Sequence, residues 1–405
     1  MSLIVQKFGG TSVGDFERIR KVAKRIAKNF DQGNDLVVVL SAMSGVTDKL
    51  TEMANQAASL PDKREMDVLL ATGEQTTVAL LAMTLQSMGY PARSILGYQA
   101  GIITNKNYGS ARIMEVGASR IKELIEKHNI VIVAGFQGCD AEGNITTLGR
   151  GGSDTSAVAI AAAINADKCE IFTDVDGIYT TDPNICDKAR KLSAISYDEM
   201  LEMSGLGAKV LQIRSVEFAK KYNVPVHVRS SFSEEEGTMV INEDSNMERL
   251  IVSGITHNKD TARITLKKVP DSPGVASKIF LPVADAKILV DMIIQNTRAG
   301  GLTDLTFTIS KKDFDKALEI EKKVAEEIGA EKVFGDKNIA KVSVTGVGMR
   351  SHSGVASKIF ATLAGENINI LMISTSEIRV SCIIEEKYAE LAVRVLHHAF
   401  GLDKD

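Results

Sequence analysis

The sequence has 405 residues, of which 44% are hydrophobic and 25% charged, and its formal net charge is −4. This length fits two or three domains, and the composition is ordinary for a soluble globular protein. The small net charge argues against nucleic-acid and membrane partners. We see no apolar run of the ~20 residues that a membrane span needs, and no signal-peptide pattern. The 4 cysteines show no CxxC spacing and the 6 histidines no metal-ligand pattern, so we expect reduced thiols, a cytoplasmic location and no protein-held metal.

The first half of the chain alternates short apolar strands with longer helical stretches. Such alternation predicts an α/β domain with a largely parallel sheet, in which ligands bind outside the carboxyl ends of the strands. The predicted strands are 2–7, 35–41, 130–135, 169–173 and 224–229. The predicted helices are 15–30, 45–59, 65–88, 110–128, 153–165 and 207–222. The acidic, turn-rich stretch Ser231–Ser245 is predicted to be a linker.

The second half contains an internal repeat. The segment Gly274–Phe280 recurs unchanged as Gly354–Phe360, and further matches continue in register. Each copy has the pattern of a small α+β module with helices on one face of an antiparallel sheet. Pro282 is expected to shorten or kink the helix of the first copy. The charged stretch Lys311–Glu327 is predicted to be a solvated helix face.

The opening strand runs directly into Lys7, Gly9 and Gly10, and a helix follows. Glycine allows close backbone approach, a helix N-terminus is partially positive and the lysine adds a full charge, so this turn predicts an anion site. A tight turn with a solvated lysine would give the same pattern.

Four further segments could carry chemistry. Ser41–Thr47 follows a strand and offers hydroxyl groups at a helix start. Gly73 and Glu74 interrupt an apolar helical pattern, where a glycine suggests the close approach of a ligand or of another backbone. Thr147–Ser156 contains the strongest local signal, Gly-Arg-Gly-Gly-Ser-Asp, in which Arg150 stands at a helix N-terminus and could hold a carboxylate or a phosphate. The segment Phe172–Pro183 brings Thr173, Asp174 and Tyr179 to a strand end.

This set of lysines, glycine loops, an arginine and strand-end carboxylates suggests phosphoryl transfer, which depends on positioning and charge neutralisation. The P-loop, dinucleotide-binding and protein-kinase signatures are missing. From spacing alone the chain is an unassigned phosphate-handling α/β enzyme.

Taken together, these segments resemble the aspartate kinases of the amino acid kinase family. The resemblance covers essentially the whole chain and is carried by Lys-Phe-Gly-Gly-Thr-Ser at 7–12, Thr-Gly-Glu at 72–74, Ala-Gly-Phe-Gln-Gly at 134–138, Thr-Leu-Gly-Arg-Gly-Gly-Ser-Asp-Thr at 147–155 and Thr-Asp-Val-Asp-Gly-Ile-Tyr at 173–179. It implies an amino-acid-kinase-like α/β sandwich at 1–245 and two ferredoxin-like ACT modules, the first at 262–337 and the second formed by 246–261 with 338–405.

The resemblance also implies the reaction and its residues. ATP, with Mg²⁺ on its phosphates, would phosphorylate the side-chain carboxylate of L-aspartate, on the route to lysine, threonine, methionine and diaminopimelate. The implied catalytic residues are Lys7, Asp154 and Lys209. The implied ATP contacts are Lys7, Phe8, Gly9, Gly10, Thr173, Asp174, Tyr179, Lys209 and Val210. The implied aspartate contacts are Ser41, Thr47, Glu74, Arg150, Gly151, Gly152 and Ser153. Asn184 stands where many members carry a nucleotide-binding arginine, so that role is not transferred.

The ACT resemblance implies feedback inhibition by lysine, threonine or both, and a homo-oligomer formed through these modules. The implied effector contacts are Asp271, Ser272, Pro273, Gly274, Val275, Ala276, Gln295 and Asn296 in the first copy, and Val355, Ala356, Asn369, Ile370, Ser376 and Glu377 in the second. Met247 permits an internally started regulatory subunit and an α₂β₂ assembly. The repeat could instead be only a dimerisation platform.

Two alternatives remain open at this point. One is another amino acid kinase, acting on acetylglutamate, glutamate or uridine monophosphate. The other is an amino-acid sensor whose kinase half is inactive.

Overall fold

The computed structural model describes residues 2–205, 210–243, 251–298 and 300–404. The chain divides into two compact units, the first built from Met1–Ile178 with Lys191–Met247 and the second from Tyr179–Arg190 with Glu248–Asp405. The segment 179–190 thus belongs to the second unit, although it lies inside the range 1–245 that we assigned to the first domain. The domain boundaries given in the sequence analysis therefore remain a prediction.

The first unit contains the following described elements. Its strands are β1 (Leu3–Phe8), β2 (Asp35–Leu40), β3 (Ala92–Ile95), β4 (Ile102–Thr104), β5 (Ile113–Val116), β6 (Ile130–Ala134), β7 (Gln137–Cys139), β8 (Ile145–Thr147), β9 (Lys168–Thr173), β10 (Ala194–Ser196), β11 (Val226–Ser230) and β12 (Thr238–Ile241). Its helices are α1 (Phe16–Asp31), α2 (Val46–Ala57), α3 (Lys63–Leu70), α4 (Thr72–Ser87), α5 (Ser119–Glu126), α6 (Gly152–Ile164), α7 (Tyr197–Gly205) and α8 (Ile213–Tyr222).

The centre of this unit is an eight-stranded sheet in the order β10-β12-β11-β9-β1-β2-β6-β3. Every pair in it is parallel except β11 with β12. Its strands are apolar on both sides because both faces are covered: α5, α6, α7 and α8 pack on one face, and α1 and α4 on the other. The predicted α/β fold with a largely parallel sheet is confirmed. A separate four-stranded sheet, β5-β4-β7-β8, was not predicted from the sequence.

Three local predictions in this unit were wrong. The helix expected at 65–88 is broken at Ala71 into α3 and α4, and the amide of Gln137 donates to the Ala71 carbonyl at 2.9 Å. The helix expected at 110–128 begins with strand β5 and is helical only in α5. The linker expected at 231–245 contains strand β12, which pairs with β10 and β11.

The helical run Lys63–Ser87 also departs from the expectation that nothing here could span a membrane. By length and composition alone it passes as a membrane-spanning candidate. In the structure it is the two helices α3 and α4, and Val78, Leu81 and Leu85 are buried against the main sheet. A core helix of this kind meets the same criteria.

The second unit is built on one antiparallel six-stranded sheet in the order β14-β15-β13-β16-β18-β17. Its strands are β13 (Gly254–Pro270), β14 (Ile293–Arg298), β15 (Leu302–Ile309), β16 (Lys332–Thr345), β17 (Met372–Ser376) and β18 (Arg379–Glu385), and its helices are α9 (Val275–Asp285), α10 (Phe314–Ile328), α11 (Val355–Gly365) and α12 (Ala389–Ala399). The two long central strands are shared by both copies of the repeat. Residues 254–258 of β13 pair with 341–345 of β16, beside the second copy, whereas 262–270 pair with β15 of the first.

The structure corrects two expectations for this unit. Pro282 does not shorten its helix, because α9 and α11 each span 11 residues, and the alternative of a kink stays a prediction. The stretch Lys311–Glu327 is not simply a solvated face, since Glu321 in α10 is fully buried. Within the described part of the chain, both of its carboxylate oxygens lack a hydrogen-bond partner. Burial raises the pKa of this side chain to about 8.

Candidate functional site

Lys7 lies near the end of β1, and its side chain is on the face of the sheet that α6 covers. Its ammonium group forms an ion pair with Asp154 at 2.6 Å, and both side chains are nearly buried. Asp154 stands in the first turn of α6, where the helix dipole favours a negative charge. This pair places one cation at the carboxyl edge of the sheet, and the carboxylate on α6 orients it.

The glycine turn after β1 is tighter than the sequence suggested. A Cβ atom at Gly10 would lie 2.7 Å from the carbonyl oxygen of Ala42, so only glycine fits there without a shift. The N–H of Gly9 donates to the carbonyl of Phe172 at 3.3 Å. That amide therefore ties β1 to β9, contrary to the expectation that it would be bare for an anion.

Glu74 stands in the first turn of α4, directly after the end of α3. The side chain is buried, and its Oε1 accepts a hydrogen bond from the N–H of Ala42 at 3.0 Å. Its Oε2 has no hydrogen-bond partner among the residues that the structure describes. Burial raises the pKa of Glu74 to about 7, although the Ala42 N–H opposes that shift. An unfilled carboxylate oxygen in a buried place suits an incoming cation.

Arg150 lies on the short loop between β8 and α6. The loop reverses through Gly149 and Gly151, both with positive φ, and a Cβ atom at Gly151 would overlap the side chain of Gln212. Arg150 itself is exposed. Its guanidinium forms no ion pair or hydrogen bond with any residue that the structure describes. It is free to bind an anionic group in a forked geometry.

These groups share one pocket of about 330 Å³. It is lined by Lys7, Gly10, Ser41, Ala42, Met43, Ser44, Gly45, Thr47, Asp48, Glu74, Phe136, Gly149, Arg150, Gly151, Gly152, Ser153 and Asp154. The structure thus brings together Lys7, Asp154 and every residue predicted to contact aspartate. Asp48 was not predicted from the sequence, and Phe136 was given no role there, although its φ of 65° is unusual for a residue with a side chain.

The residues predicted to contact ATP lie partly outside this pocket. Phe8 stacks on Phe172 with ring centroids 4.6 Å apart, and Thr173 and Asp174 follow Phe172 at the same sheet edge. Val210 packs against the apolar core of the first unit. Tyr179 belongs to the second unit, and Lys209 lies outside the described residues. The roles of these residues stay predictions.

The predicted effector residues lie in the second unit. Asp271, Ser272, Pro273 and Gly274 are exposed in the loop before α9, and the N–H of Asp271 donates to Gly301 at 2.8 Å. Gln295 and Asn296 are exposed on the edge strand β14. The effector residues predicted in the second copy are Val355, Ala356, Asn369, Ile370, Ser376 and Glu377. Of these, Val355 is buried and Glu377 pairs with Arg350 at 3.5 Å.

Comparison with known proteins decides the family. The model of the amino acid kinase family matches residues 2–230, and that of the ACT domain matches 267–323 and 342–400. An aspartate kinase of Stutzerimonas stutzeri is 56% identical over 404 residues, covering 100% of this chain and 98% of the relative. The chain belongs to the aspartate kinases of the amino acid kinase family.

Solved aspartate kinase structures agree with this membership. E. coli aspartokinase III in complex with aspartate and ADP matches with a TM-score of 0.81 and 26% identity, covering 98% of this chain and 99% of that one. The same E. coli enzyme in complex with lysine and aspartate matches with a TM-score of 0.79, also at 26% identity, over 98% of this chain and 99% of that one. As an aspartate kinase with two ACT segments, this chain is an enzyme of the allosteric, amino-acid-biosynthetic class.

Proposed function

We propose that this aspartate kinase transfers the γ-phosphoryl group of ATP to the side-chain carboxylate of L-aspartate, giving 4-phospho-L-aspartate and ADP. The observation that carries the proposal is the pocket that unites the Lys7–Asp154 pair with the exposed Arg150 and the buried Glu74. The E. coli relative solved with aspartate and ADP supports the same pair of ligands.

The two charged groups of the amino acid backbone find complementary partners in this pocket. Arg150 would bind the α-carboxylate through a forked pair of hydrogen bonds. The unfilled oxygen of Glu74 would accept from the ammonium group. Ser41, Thr47, Gly151, Gly152 and Ser153 would supply the remaining polar contacts, which leaves the side-chain carboxylate as the reacting group.

In the transfer, a side-chain carboxylate oxygen of aspartate attacks the γ-phosphorus. The new O–P bond forms while the bond from phosphorus to the β,γ-bridging oxygen breaks, and that electron pair leaves on ADP. A carboxylate is already ionised near neutral pH, so no general base is needed. Lys7 would stabilise charge on the transferring group, and Asp154 would orient its ammonium.

ATP would lie beside the aspartate site along Phe8, Gly9, Gly10, Thr173 and Asp174. Tyr179 and Val210 would complete its contacts, and Lys209 would add a second cation. Among the residues described, no group of three or more His, Cys, Asp and Glu side chains is placed to hold a metal ion. We propose that Mg²⁺ arrives on the ATP phosphates, where it would neutralise charge.

We further propose that lysine, threonine or both inhibit the enzyme through the ACT modules. The T-state complex of the E. coli relative with lysine and aspartate supports lysine. Inhibition requires that the effector bind the inactive arrangement more tightly than the active one. The proposal includes a homo-oligomer formed through the ACT modules and a cytoplasmic enzyme that feeds lysine, threonine, methionine and diaminopimelate synthesis. Met247, the candidate internal start for an α₂β₂ form, lies outside the described residues.

One assay tests the reaction and its regulation together. L-aspartate, L-glutamate or N-acetyl-L-glutamate is offered as the acceptor, and the acyl phosphate formed is trapped as its hydroxamate. ADP release is measured in parallel for these acceptors and for uridine monophosphate, which forms no hydroxamate. We expect turnover with aspartate alone, and lower turnover when lysine, threonine or both are added. Preferred use of another acceptor would establish a different amino acid kinase. Lysine binding without ATP consumption would establish a sensor.

A further inference from the structure

The loop that carries Arg150 is held in place by two charged side chains to which we have given no role so far. Asp67 on α3 contacts the loop from one side, and Arg214 on α8 contacts it from the other. Neither residue lines the pocket, and neither stands in a motif that the sequence made conspicuous. Their contacts converge on two neighbouring stretches of backbone, 109–111 and 147–148.

Asp67 uses its carboxylate entirely as an acceptor from these two stretches. Its oxygens accept from the N–H of Thr147 at 2.8 Å, from the Thr147 hydroxyl at 2.7 Å and from the N–H of Gly109 at 3.0 Å. The side chain is fully buried and has no ion pair with any described residue. A buried carboxylate is costly unless donors compensate it, so these three donors fix the carboxylate and the backbone to each other.

Arg214 uses its guanidinium in the opposite sense, as a donor to carbonyl groups of the same stretches. One terminal nitrogen donates to Leu148 at 2.6 Å and the other to Ala111 at 2.9 Å. No carboxylate of the described residues lies within ion-pair distance of it. Burial, together with the nearby guanidinium of Arg112, lowers the pKa of Arg214. A partly buried arginine paired only with backbone carbonyls has a positional role.

The two stretches are also bonded to each other, since the N–H of Ala111 donates to the carbonyl of Thr147 at 2.9 Å. Leu148 lies two positions before Arg150, and its N–H donates to Phe136 at 2.8 Å. The backbone that leads into the glycine turn is therefore fixed at Thr147 and Leu148. Beyond that point, the exposed Arg150 side chain has no described partner of its own to hold it.

We propose that Asp67 and Arg214 are positioning residues that hold the 147–148 backbone so that Arg150 faces the pocket in a binding geometry. This inference rests on the proposed role of Arg150 in aspartate binding. Errors of about 1 Å in the placement of a binding group are enough to reduce catalytic efficiency about 100-fold. We call Asp67 and Arg214 the clamp residues. Replacing either of them should therefore weaken aspartate binding and leave ATP binding nearly unchanged.

The test compares Asp67→Asn, Arg214→Ala and Arg214→Lys with the wild-type enzyme. Asp67→Asn replaces one acceptor oxygen with an amide NH₂ group. That group is a donor and cannot accept from the N–H and O–H groups that surround it. Arg214→Ala removes both carbonyl contacts, and Arg214→Lys restores a donor but not the fork. We expect the KM for aspartate to rise about 10-fold or more in the first two variants and less in the lysine variant, with the KM for ATP changed less than about twofold. Free guanidinium added to Arg214→Ala should lower the KM for aspartate again.

Arg112→Ala provides the matched control, because Arg112 is an exposed cation directly after the stretch 109–111. Its backbone N–H donates to the side chain of Asn105. It should leave both KM values unchanged. In an Arg150→Ala background, Asp67→Asn should add nothing further to the KM for aspartate. Equal increases in both KM values, or the same effect from Arg112→Ala, would overturn the proposal. If Asp67→Asn does not fold, the test is whether free guanidinium lowers the KM of Arg214→Ala for aspartate. An unchanged KM counts against the proposal.

Hydrogen exchange separates this inference from the proposed function. In both clamp variants the amides of residues 147–152 should exchange at least about 10-fold faster without substrate, while those of α1 remain unchanged. Faster exchange in an enzyme that does not phosphorylate aspartate would support the clamp and refute the proposed reaction. Unchanged exchange in an active enzyme would refute the clamp and leave the reaction intact.

Discussion

Replacing Glu321 should stabilise the first ACT segment in a pH-dependent way. Glu321 is the eighth residue of α10, and the eighth residue of α12 in the second copy is the buried Leu396. Ala317 and Val324, one turn to either side of Glu321, belong to the apolar cluster of the first copy. A carboxyl group thus occupies a core position where the other copy has leucine, and its two oxygens have no hydrogen-bond partner in the ranges that the structure describes.

The magnitude follows from the difference between the folded and unfolded pKa. Burial raises the pKa from 4.5 to about 8, so the folded chain holds a proton that the unfolded chain has released between these values. Stability linked to this proton is fully present below pH 4.5 and is lost as the pH rises toward about 8. Keeping the folded carboxyl protonated therefore costs about 3 kcal/mol at pH 7 and about 1 kcal/mol at pH 5. Glu321→Leu should gain at least that amount at pH 7.

Hydrogen exchange on peptides from α10 measures this gain in the full-length enzyme. Peptides from α12 serve as the internal control, and Glu321→Gln removes the charge while keeping the shape. We expect greater protection of α10 in Glu321→Leu at pH 7, a much smaller gain at pH 5 and no change in α12. A gain that is the same at both pH values would show that ionisation of Glu321 is not the cause. A loss of stability at pH 7 would show that the carboxylate has a partner.

Three predictions concern the pocket. Lys7→Ala should lower kcat about 100-fold or more with the fold intact, because it removes a cation that stabilises the transition state. The control Lys24→Ala, at an exposed lysine of α1, should not lower kcat. Near-normal turnover of Lys7→Ala would refute the role of Lys7. Arg150→Ala should raise the KM for aspartate far more than the KM for ATP, and equal effects would count against the assigned contact. Because the pKa of Glu74 is about 7 and only its ionised form suits an ammonium group, the KM for aspartate should fall about 10-fold from pH 6 to pH 8. Glu74→Gln should abolish that dependence, and a flat profile in the wild-type enzyme would contradict it.

The parts of the fold with strong periodicity could be predicted from the sequence, and the parts set by tertiary contacts could not. The buried strands of the main sheet, such as β2 and β6, are nearly continuous apolar runs and were found to within about one residue. The break at Ala71 has no proline to mark it, and the Ala71 carbonyl there accepts from the side-chain amide of Gln137, far away in sequence. The burial of Glu321 could not be predicted either, because its neighbours Lys322 and Lys323 are typical of a solvated helix.

The candidate site divides in the same way. Lys7, Glu74 and Arg150 stand beside glycines that mark unusual backbone, so local sequence pointed to them. Asp67 and Arg214 have no such signal, because their roles come from contacts 42 to 103 residues away in sequence. A buried charge that binds only backbone and hydroxyl groups leaves no charged partner to search for in the sequence.

Asp67 and Glu74 show how one helical run supplies both kinds of residue. Both are buried carboxylates, and both accept from backbone on a loop that lines the pocket. Asp67 accepts from three donors, whereas Glu74 accepts from the N–H of Ala42 through one oxygen, and its other oxygen has no hydrogen-bond partner among the described residues. Since an unfilled buried acceptor is costly, the free enzyme keeps an unsatisfied oxygen at the place where the substrate ammonium would bind. The number of donors, rather than burial or charge, therefore separates the carboxylate that shapes the site from the one that binds the substrate.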